Sequence, residues 1–556
     1  MDVYRMAGFI GRYREYIYIV SISIVLLCCA YFPIYRNYQR APTDRYYFGA
    51  EEFPIDQLGN LAYVRQGYLG EVFARFNYSI FLGDHPSIVK FEYIVIGHLA
   101  RLLRTDPIHM FRISQFVLSL GYMAMVYILI RSVIPPLAGR VAAYILVLFG
   151  SGIVLPSWQF SFPDGAIYDV LVFQRMTIAM PHYLLGGLFS FVTMYLLARV
   201  FVISRAFTLF VLALISGILV AFFYAPDIIL IVSSFPLFVL LSILSGWIRR
   251  KKLTVSVVQL GVICTYAAVV LIPVLYVRYI VGYYWQDLNT GKMEFLNPFV
   301  LTFSEYLFVM GVPYILSIVS LPIVLKKGSP LLLLLWTWTI MHPVGEFVLS
   351  KFMHINPIRY MITPYYVAFG VLSGVLLAHI VAWAKARFSL LRPNRIYGAL
   401  LILILGTSIF SYQRTVRRSE LCFCQPPVLD FGYPAKTVMR SIDWLRQNTK
   451  TGDIVLSGYH AGMLIPAFAG NRVYTSWWYK LIEPPSFPAV LGALSGFYRQ
   501  TVDDAAAYTF LQTYDISYVY YSPEEHALNP SRWGLKYPFL SEVYNEGDVI
   551  IYRVKL

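Results

Sequence analysis

Carboxylates that could act as a general base collect in a polar stretch near the start of the chain, between residues 36 and 109. They are Asp44, Glu51, Glu52, Asp56 and Asp84. A partly desolvated carboxylate can accept a proton from a reacting hydroxyl if its pKa is near the working pH. The alternative for each residue is a solvated loop carboxylate, and composition alone does not choose among them.

The composition of the chain indicates which elements must position this stretch. Of 556 residues, 58% are hydrophobic and 13% are charged, and the mean hydropathy is positive. Such a chain cannot form a soluble core, so we expect a polytopic α-helical membrane protein. The formal charge of +15 lies largely in short loops between apolar runs, where the positive-inside bias places it. Nucleic-acid binding is therefore not expected.

About eleven apolar runs are long enough to span a bilayer. They lie at residues 17–35, 110–131, 140–157, 181–201, 207–224, 227–247, 254–277, 303–325, 331–349, 362–383 and 396–412. The first run follows Arg5, Arg12 and Arg14. It is longer than a signal-peptide core and has no small-residue cleavage site, which is typical of a retained signal anchor in a plasma or inner membrane.

Basic loops fix the predicted topology. The strongest cytoplasmic markers are Arg249–Lys252, Lys326–Lys327 and Lys385–Arg395. Placing them inside makes the N-terminus cytoplasmic and puts these segments outside: 36–109, 158–180, 278–302, 350–361 and 413–556. The same parity means that 86–104 cannot cross, so we expect an amphipathic helix at the membrane interface there.

The chain divides by composition into a transmembrane domain, 1–412, and a soluble extracytoplasmic domain, 413–556. The first outer loop, 36–109, is expected to carry juxtamembrane helices. The tail has α/β character, with a helix over 437–447 and strand-like runs DIVLSG, NRVYTSWW, ISYVYYS and DVIIYRV. It is interpreted as a lid or an acceptor-recognition module, or as a purely stabilising one. Trp477 and Trp478 could stack on sugar rings, although interfacial aromatic residues are commoner.

The first outer loop resembles that of the GT-C superfamily of integral membrane glycosyltransferases. Its pattern D-x(3)-N-x-A-Y-x-R-Q-G is carried by Asp56, Asn60, Ala62, Tyr63, Arg65, Gln66 and Gly67. The runs YIVIGHLAR at Tyr93–Arg101 and MPHY at Met180–Tyr183 are also similar to bacterial members. These matches occur in order and on the expected side, and the resemblance covers most of the chain, so it implies a GT-C fold.

The resemblance implies transfer of a monosaccharide from a polyprenyl-phosphate-linked donor to a hydroxyl of a glycan, lipid or protein acceptor, with inversion. The family's base is an acidic residue of the first outer loop, and Asp56 stands at the matching position. Asp44 and Glu52 are the alternatives. The base would take the acceptor proton while polyprenyl phosphate departs.

The departing phosphate needs cationic or hydrogen-bonding partners in the same compartment. Arg359 in NPIRYMITPYY is suited to bidentate phosphate contact at the mouth of a span. His182, Lys90 and Lys351 are further candidates. The alternative for each of the four is an interfacial anchor.

The second outer loop carries Asp164 and Asp169, which are candidates for sugar contact or for a divalent metal ion. Oxygen ligands favour Mg²⁺ or Mn²⁺. This pair lacks the DxD or ExD spacing of metal-dependent family members, and the sequence lacks the WWDYG-type signature of oligosaccharyltransferases. The absence of both patterns favours monosaccharide transfer without an obligatory metal.

Two other classes of function compete with this one. A transporter would carry matched repeats and ionisable groups near mid-membrane, whereas Asp227 and Glu346 lie near the ends of predicted spans. A non-catalytic scaffold or assembly protein that keeps the GT-C fold is the other alternative.

Overall fold

The structure is a computed structural model that describes residues 3–49, 54–82, 85–153, 180–203, 206–250, 255–284, 301–388, 392–407, 430–482, 484, 486–530 and 533–555. The chain forms two compact units. The membrane unit comprises Met1–Phe32, Gln115–Tyr276 and Phe299–Arg418. The loop–tail unit comprises Pro33–Ser114, Val277–Pro298 and Ser419–Leu556. The predicted first outer loop therefore belongs to the same compact unit as the C-terminal residues.

Apolar helices make up most of the chain as far as residue 406. The first eight are α1 Val3–Arg40, α2 Pro54–Leu69, α3 Phe91–Leu102, α4 Pro107–Val133, α5 Leu137–Phe149, α6 Pro181–Val200, α7 Phe207–Arg250 and α8 Val257–Tyr279, which continues as the π-helical turn Ile280–Tyr284. They are followed by α9 Phe303–Val319, α10 Leu321–Lys327, α11 Pro330–Val344, the π-helical turn Gly345–Leu349, α12 Ser350–Met353, α13 Ile358–Met361, α14 Tyr365–Arg387 and α15 Pro393–Gly406. Several begin at proline, whose fixed φ and missing N–H suit the first helical position.

Seven helices of the described chain are long and apolar enough to cross a membrane, or eight if the bent pair α9 and α10 forms one span. Two shorter apolar helices, α5 and α15, accompany them. The predicted class, a polytopic α-helical membrane protein, is confirmed. The number of eleven spans is not confirmed and stays a prediction.

Helix α7 consists of two arms that reverse direction at Tyr224. The backbone of Tyr224 is not helical, with φ −154° and ψ 85°. Gly217 on the first arm abuts the Tyr266 side chain, and the ring of Phe235 on the second arm lies 5.8 Å from the ring of Tyr266. In a straight helix those two positions would be roughly 27 Å apart, so one tyrosine could not touch both. The arms correspond to the two spans predicted at 207–224 and 227–247.

The span predicted at 140–157 is not helical throughout. Helix α5 ends at Phe149, and Gly150 follows in an extended conformation. Beyond it, the N–H of Ile153 donates to the carbonyl of Phe308 on α9, at 2.8 Å. Helix α9 is itself interrupted at Gly311, where φ is 70°, a value that glycine adopts without strain. The extended segment satisfies its backbone against this broken helix instead of continuing α5.

Helices α2 and α3 pack backbone to backbone within the loop–tail unit. A methyl group at Gly67 would collide with the carbonyl oxygen of Ile94, and one at Gly97 with the carbonyl oxygen of Val64. Helix α3 has 12 residues, which is roughly 18 Å and shorter than the hydrocarbon core. A helix therefore exists within the predicted segment 86–104, and its length does not suit a span, whereas its location at the membrane interface stays a prediction.

Glu92 in the first turn of α3 is a buried carboxyl with a raised pKa. The residue is 4% exposed, and its Oε2 has no hydrogen-bond partner within the described parts of the chain. Burial raises the pKa of Glu92 from its ordinary value of 4.5 to about 7, and Lys90 counteracts this only in part. The folded unit therefore favours the protonated carboxyl.

This pKa predicts that acid stabilises the loop–tail unit. Because the pKa of Glu92 is raised in the folded unit, its protonated form contributes to the free energy of unfolding. This contribution is full below about pH 4.5, is lost as the pH rises through about 7, and amounts to roughly 3 kcal/mol. Glu92→Gln should therefore raise the Tm relative to wild type at about pH 8 and leave it equal at about pH 4. Glu71→Gln, at an exposed position of the same loop, is the control. A Glu92→Gln Tm that matched wild type at both values would contradict the prediction.

The C-terminal part of the loop–tail unit is an α/β layer. Its elements are α16 Lys436–Asn448, β1 Ile454–Leu456, α17 Ala461–Phe468, β2 Arg472–Val473, α18 Trp477–Ile482, α19 Phe487–Arg499, α20 Asp504–Thr513, β3 Ile516–Tyr521, α21 Pro523–His526, β4 Leu540–Glu546 and β5 Val549–Val554. The sheet has five strands in the order β2-β1-β3-β5-β4. Strands β2, β1 and β3 are parallel, and β5 and β4 are antiparallel additions. The predicted helix and three of the strand-like runs are confirmed, whereas in NRVYTSWW only Arg472–Val473 is a strand and Trp477 begins α18.

Candidate functional site

Helix α2 presents Asp56 at its start. The side chains of the helix are buried from Gln57 to Gly67, whereas that of Asp56 is exposed. The Asn60 amide donates to the backbone carbonyl of Asp56 at 2.9 Å, which fixes this first turn. A carboxylate in the first turn of a helix is also stabilised by the positive end of the helix dipole.

The rest of the first-loop motif is structural. Gln66 is bonded twice to the backbone of Arg75, donating to its carbonyl at 2.8 Å and accepting from its N–H at 2.9 Å. Gly67 permits the close approach of α3. The guanidinium of Arg65 lies 5.1 Å from the centre of the Tyr68 ring. Each of these residues has a packing or hydrogen-bonding role, and of the motif residues only Asp56 is exposed.

Arg65 is a buried cation on this helix. It is 5% exposed. Burial, together with the neighbouring Arg446, lowers the pKa of its guanidinium to about 10. Arg65 thus remains charged at neutral pH, and the favourable contact with Tyr68 offsets part of the lost hydration.

Trp478 covers α2 within the loop–tail unit. A methyl group at Gly59 would lie 2.9 Å from Cζ2 of Trp478. The Trp478 ring also stacks on that of Tyr78 at 6.0 Å, and the Tyr78 hydroxyl donates to the Leu58 carbonyl at 2.6 Å. The indole of Trp478 therefore packs against the helix that carries Asp56, which gives it a structural role distinct from the predicted stacking on sugar.

A narrow recess lies in the membrane unit. It is surrounded by the start of α6, the reversal of α7 and the start of α14. It is lined by Tyr122, Tyr183, Leu184, Tyr224, Asp227, Ile362, Pro364 and Tyr366. The hydroxyls of Tyr122 and Tyr366 share a hydrogen bond of 2.8 Å. Asp227 is fully buried and accepts a hydrogen bond from Ser190 at 3.0 Å. A carboxyl buried in a membrane unit is typical of a functional site.

Two of the predicted phosphate-binding residues border this recess. The ring of His182 lies 4.1 Å from that of Tyr183, which in turn lies 5.2 Å from the ring of Tyr224. The Tyr224 hydroxyl donates to the backbone carbonyl of Arg359 at 2.5 Å. His182 is buried and Arg359 is half-buried. His182 and the backbone of Arg359 thus each contact a tyrosine that lines the recess, and the carboxyl of Asp227 lines it as well.

No protein-family profile matches the chain, and no curated protein sequence matches it. Solved structures do match. The oligosaccharyltransferase of Archaeoglobus fulgidus, tethered to an acceptor peptide with the NVT sequon, aligns with a TM-score of 0.55 and 13% identity over 99% of this chain and 75% of its own. AglB of the same organism, in complex with an inhibitory peptide and a dolichol-phosphate, aligns with a TM-score of 0.53 and 13% identity over 92% and 70%.

The chain has a GT-C fold. This confirms, for the fold, the resemblance carried by the first-loop motif. At 13% identity the similarity concerns the fold alone. ArnT from Cupriavidus metallidurans bound to undecaprenyl phosphate also aligns, over 97% of this chain and 98% of its own, at 11% identity and a TM-score of 0.48. That score is below the level that indicates a shared fold.

The remaining predicted site residues lie in both compact units. Asp44 is exposed, and its backbone carbonyl accepts from the N–H of Lys436 at 2.9 Å. Lys90 precedes α3 with φ 67°, and its ammonium lies 5.7 Å from the centre of the Tyr93 ring. Lys351 is exposed on α12. Glu52, Asp164 and Asp169 lie outside the described residues.

No group of three or more His, Cys, Asp or Glu side chains with metal-binding geometry occurs in the ranges described above. The predicted pair Asp164 and Asp169 is outside those ranges. The divalent ion therefore stays a prediction.

Asp227 is the site residue that sequence reasoning missed. The sequence places it at the start of a predicted span, where it argues only against transport. A lone carboxylate in the Tyr224-Ala225-Pro226-Asp227 turn, between two apolar runs of the GT-C fold, was the available signal. A charged residue there is expensive unless the fold buries it in a polar site.

Proposed function

We propose that this chain is an integral membrane glycosyltransferase. It moves a monosaccharide from a polyprenyl-phosphate-linked donor to the hydroxyl of a glycan, lipid or protein acceptor at the outer face of a plasma or inner membrane, with inversion. The N-terminus is then cytoplasmic and the tail extracytoplasmic. The GT-C fold supports this proposal, and one matched archaeal structure holds a dolichol-phosphate.

Asp56 is the proposed general base. The observation that carries this role is the contrast within α2, where every motif residue that follows is buried and Asp56 is exposed. The acceptor oxygen attacks the anomeric carbon as Asp56 takes its proton, and the anomeric carbon–oxygen bond breaks with its electron pair passing to polyprenyl phosphate. General base catalysis of this kind contributes roughly 10²–10⁴-fold to the rate.

Arg359 and His182 are the proposed partners of the donor phosphate. Both border the recess of the membrane unit, and the backbone of Arg359 is held by Tyr224. A guanidinium can make two parallel hydrogen bonds to a phosphate. Lys90 and Lys351 remain weaker candidates, since Lys90 lies over Tyr93 and Lys351 is exposed. Asp164 and Asp169 are proposed for sugar contact or for a Mg²⁺ or Mn²⁺ ion.

Donor consumption tests the proposed function. The full chain in lipid nanodiscs is incubated with a panel of undecaprenyl- and dolichyl-phosphate hexoses and pentoses and with glycan, lipid and peptide acceptors that carry free hydroxyls. Release of polyprenyl phosphate and gain of the sugar mass by an acceptor are followed by mass spectrometry. We expect one donor class to be bound and consumed. A chain that binds and consumes none of them would instead support the scaffold, and accumulation of an intact substrate across a sealed vesicle would support a transporter.

Arg359→Gln should weaken donor binding by roughly 10- to 100-fold, because hydrogen bonds to a charged group contribute about 1.5–3 kcal/mol. Arg359→Lys should recover only part of this, since an ammonium cannot make the bidentate contact. Binding is measured by titrating nanodisc-embedded protein with the consumed donor. Lys351→Gln, at an exposed and weaker candidate of the same segment, is the comparison. Equal weakening by both variants would show a general surface-charge effect, and weakening by Lys351→Gln alone would move the phosphate contact to Lys351; either result would contradict the specific role of Arg359.

A further inference from the structure

A second set of chemically capable side chains lies at one edge of the C-terminal sheet. Strands β2, β1 and β3 are parallel and adjacent in that order, so their carboxyl ends share an edge. Ligands of open α/β sheets bind in the crevice beyond this edge. The chain leaving β1 carries His460, the chain leaving β2 carries Trp477 and Lys480, and the chain leaving β3 carries Glu524. We call these four residues the strand-end crevice.

His460 and Glu524 form an oriented pair in this crevice. Nδ1 of His460 lies 3.0 Å from Oε1 of Glu524, and each side chain is 15% exposed. The Glu524 carboxylate is itself fixed, since it accepts from the backbone N–H groups of Tyr459 at 2.9 Å and His460 at 3.1 Å. A carboxylate at Nδ1 selects the tautomer that leaves Nε2 as a hydrogen-bond acceptor. Nε2 can therefore accept from a ligand hydroxyl.

Aromatic rings and one cation surround this histidine. The ring of His460 stacks on Phe431 at 4.7 Å and lies 5.2 Å from Trp477. The ammonium of Lys480 lies 4.5 Å from the centre of the Trp477 ring. All four side chains are half-buried. A pyranose ring presents apolar C–H groups on its faces and hydroxyls at its rim, so such a wall of rings with a few polar atoms suits it.

Two buried hydroxyls at the same sheet edge reinforce this inference. Ser457 directly follows β1 and Thr475 closely follows β2, and both are fully buried. Neither Ser457 Oγ nor Thr475 Oγ1 has a hydrogen-bond partner in the described part of the molecule. Buried hydroxyls are normally satisfied, and leaving one unsatisfied costs about 1–3 kcal/mol. The sheet edge therefore has hydrogen-bonding capacity that the described chain does not use.

We propose that the strand-end crevice binds a carbohydrate, with Trp477 contacting the ring face and His460 Nε2 accepting from a sugar hydroxyl. Lys480 donates to the remaining sugar oxygens. The identity of this carbohydrate rests on the proposed function: if the chain is a glycosyltransferase, the bound carbohydrate is the acceptor glycan. The tail is then an acceptor-recognition module, and the glycan is the acceptor class favoured over lipid or protein.

Sugar binding at the crevice is measured without turnover. The full chain in nanodiscs is mixed with methyl α- and β-glycosides of glucose, mannose, galactose and arabinose, and saturation transfer from protein to sugar is recorded by NMR. We expect transfer to at least one glycoside in wild type. Trp477→Leu and His460→Ala should each reduce it by at least tenfold, and the milder surface change Lys480→Met should reduce it several-fold.

Trp444→Leu is the matched control, because Trp444 is a half-buried indole of the same unit that packs on Tyr544 away from the crevice. It should leave saturation transfer unchanged. Absence of transfer in wild type, or full transfer in both His460→Ala and Lys480→Met, would overturn the proposal. The two proposals can fail separately. If the chain consumes no polyprenyl donor but the variants lose sugar binding, the proposed transferase activity is refuted and carbohydrate binding at the strand-end crevice is supported. If the chain consumes a donor but the variants keep full sugar binding, only carbohydrate binding at the crevice is refuted.

Discussion

Asp56→Asn is expected to abolish sugar transfer while leaving donor binding close to wild type. An amide keeps the size and the hydrogen-bonding geometry of the side chain but cannot accept the acceptor proton. The loss should be roughly 10²- to 10⁴-fold in kcat, which is the usual contribution of a positioned general base. Because Asp56 is exposed at the start of a buried helix, the substitution should not unfold α2. Single-turnover release of polyprenyl phosphate, with donor affinity measured in parallel, checks both parts.

Asp44→Asn is the matched control for this experiment. Asp44 is an exposed carboxylate of the same loop that interacts with the tail through its backbone carbonyl, so the substitution should leave turnover unchanged. Full activity in Asp56→Asn would refute Asp56 as the base. A loss confined to Asp44→Asn or Glu52→Gln would move that role to the corresponding alternative.

Gly97→Ala is expected to prevent stable assembly of α2 with α3. The added methyl group would collide with the Val64 carbonyl and lie within 2.6 Å of the Tyr68 nitrogen. Backbone atoms on a helix cannot rotate away as a side chain can, so the destabilisation should reach or exceed about 3 kcal/mol, the upper end of ordinary overpacking. We expect a lower yield of folded protein and a lower Tm of the purified chain.

Gly492→Ala provides the contrast. Gly492 is also inside a helix, α19, but no heavy atom described here lies within 4 Å of a methyl group placed on it. Alanine there should stabilise the helix by about 0.5–1 kcal/mol, because it restricts the unfolded chain more than glycine does. If Gly97→Ala and Gly492→Ala behaved alike, the close approach of α2 and α3 would not be the reason for Gly97.

Hydropathy and charge were sufficient to predict a polytopic α-helical membrane protein, because so many long apolar runs cannot be buried in a soluble core. Hydropathy and charge also predicted two separate spans, 207–224 and 227–247, where the structure has the two arms of α7. Hydropathy could not predict where α5 ends, because residues 150–153 are apolar or small and become extended only through contact with the broken helix α9. Such an ending depends on a tertiary partner, which composition does not encode.

The candidate site was predictable to a different degree in each unit. The first-loop motif located α2, but sequence alone could not show that Gln66 and Gly67 serve packing while Asp56 is exposed. Sequence alone also could not show that Tyr183, the neighbour of His182, and the backbone carbonyl of Arg359 both contact Tyr224 at the α7 reversal. Strand β4 was not predicted, because its side chains are mostly exposed or half-buried and lack the apolar alternation of its neighbours.

The loop–tail unit imposes a delay on biosynthesis. The Ser79 hydroxyl donates to the Tyr474 carbonyl 395 residues later, and the Tyr433 hydroxyl donates to the Asn37 carbonyl across 396 residues. At ordinary translation rates the ribosome needs roughly 20–80 s to cover that interval. During this time α2 is made without the tail residues that cover it. The nascent first loop is thus a natural client for a holding chaperone, and truncation of the tail should expose it to proteolysis.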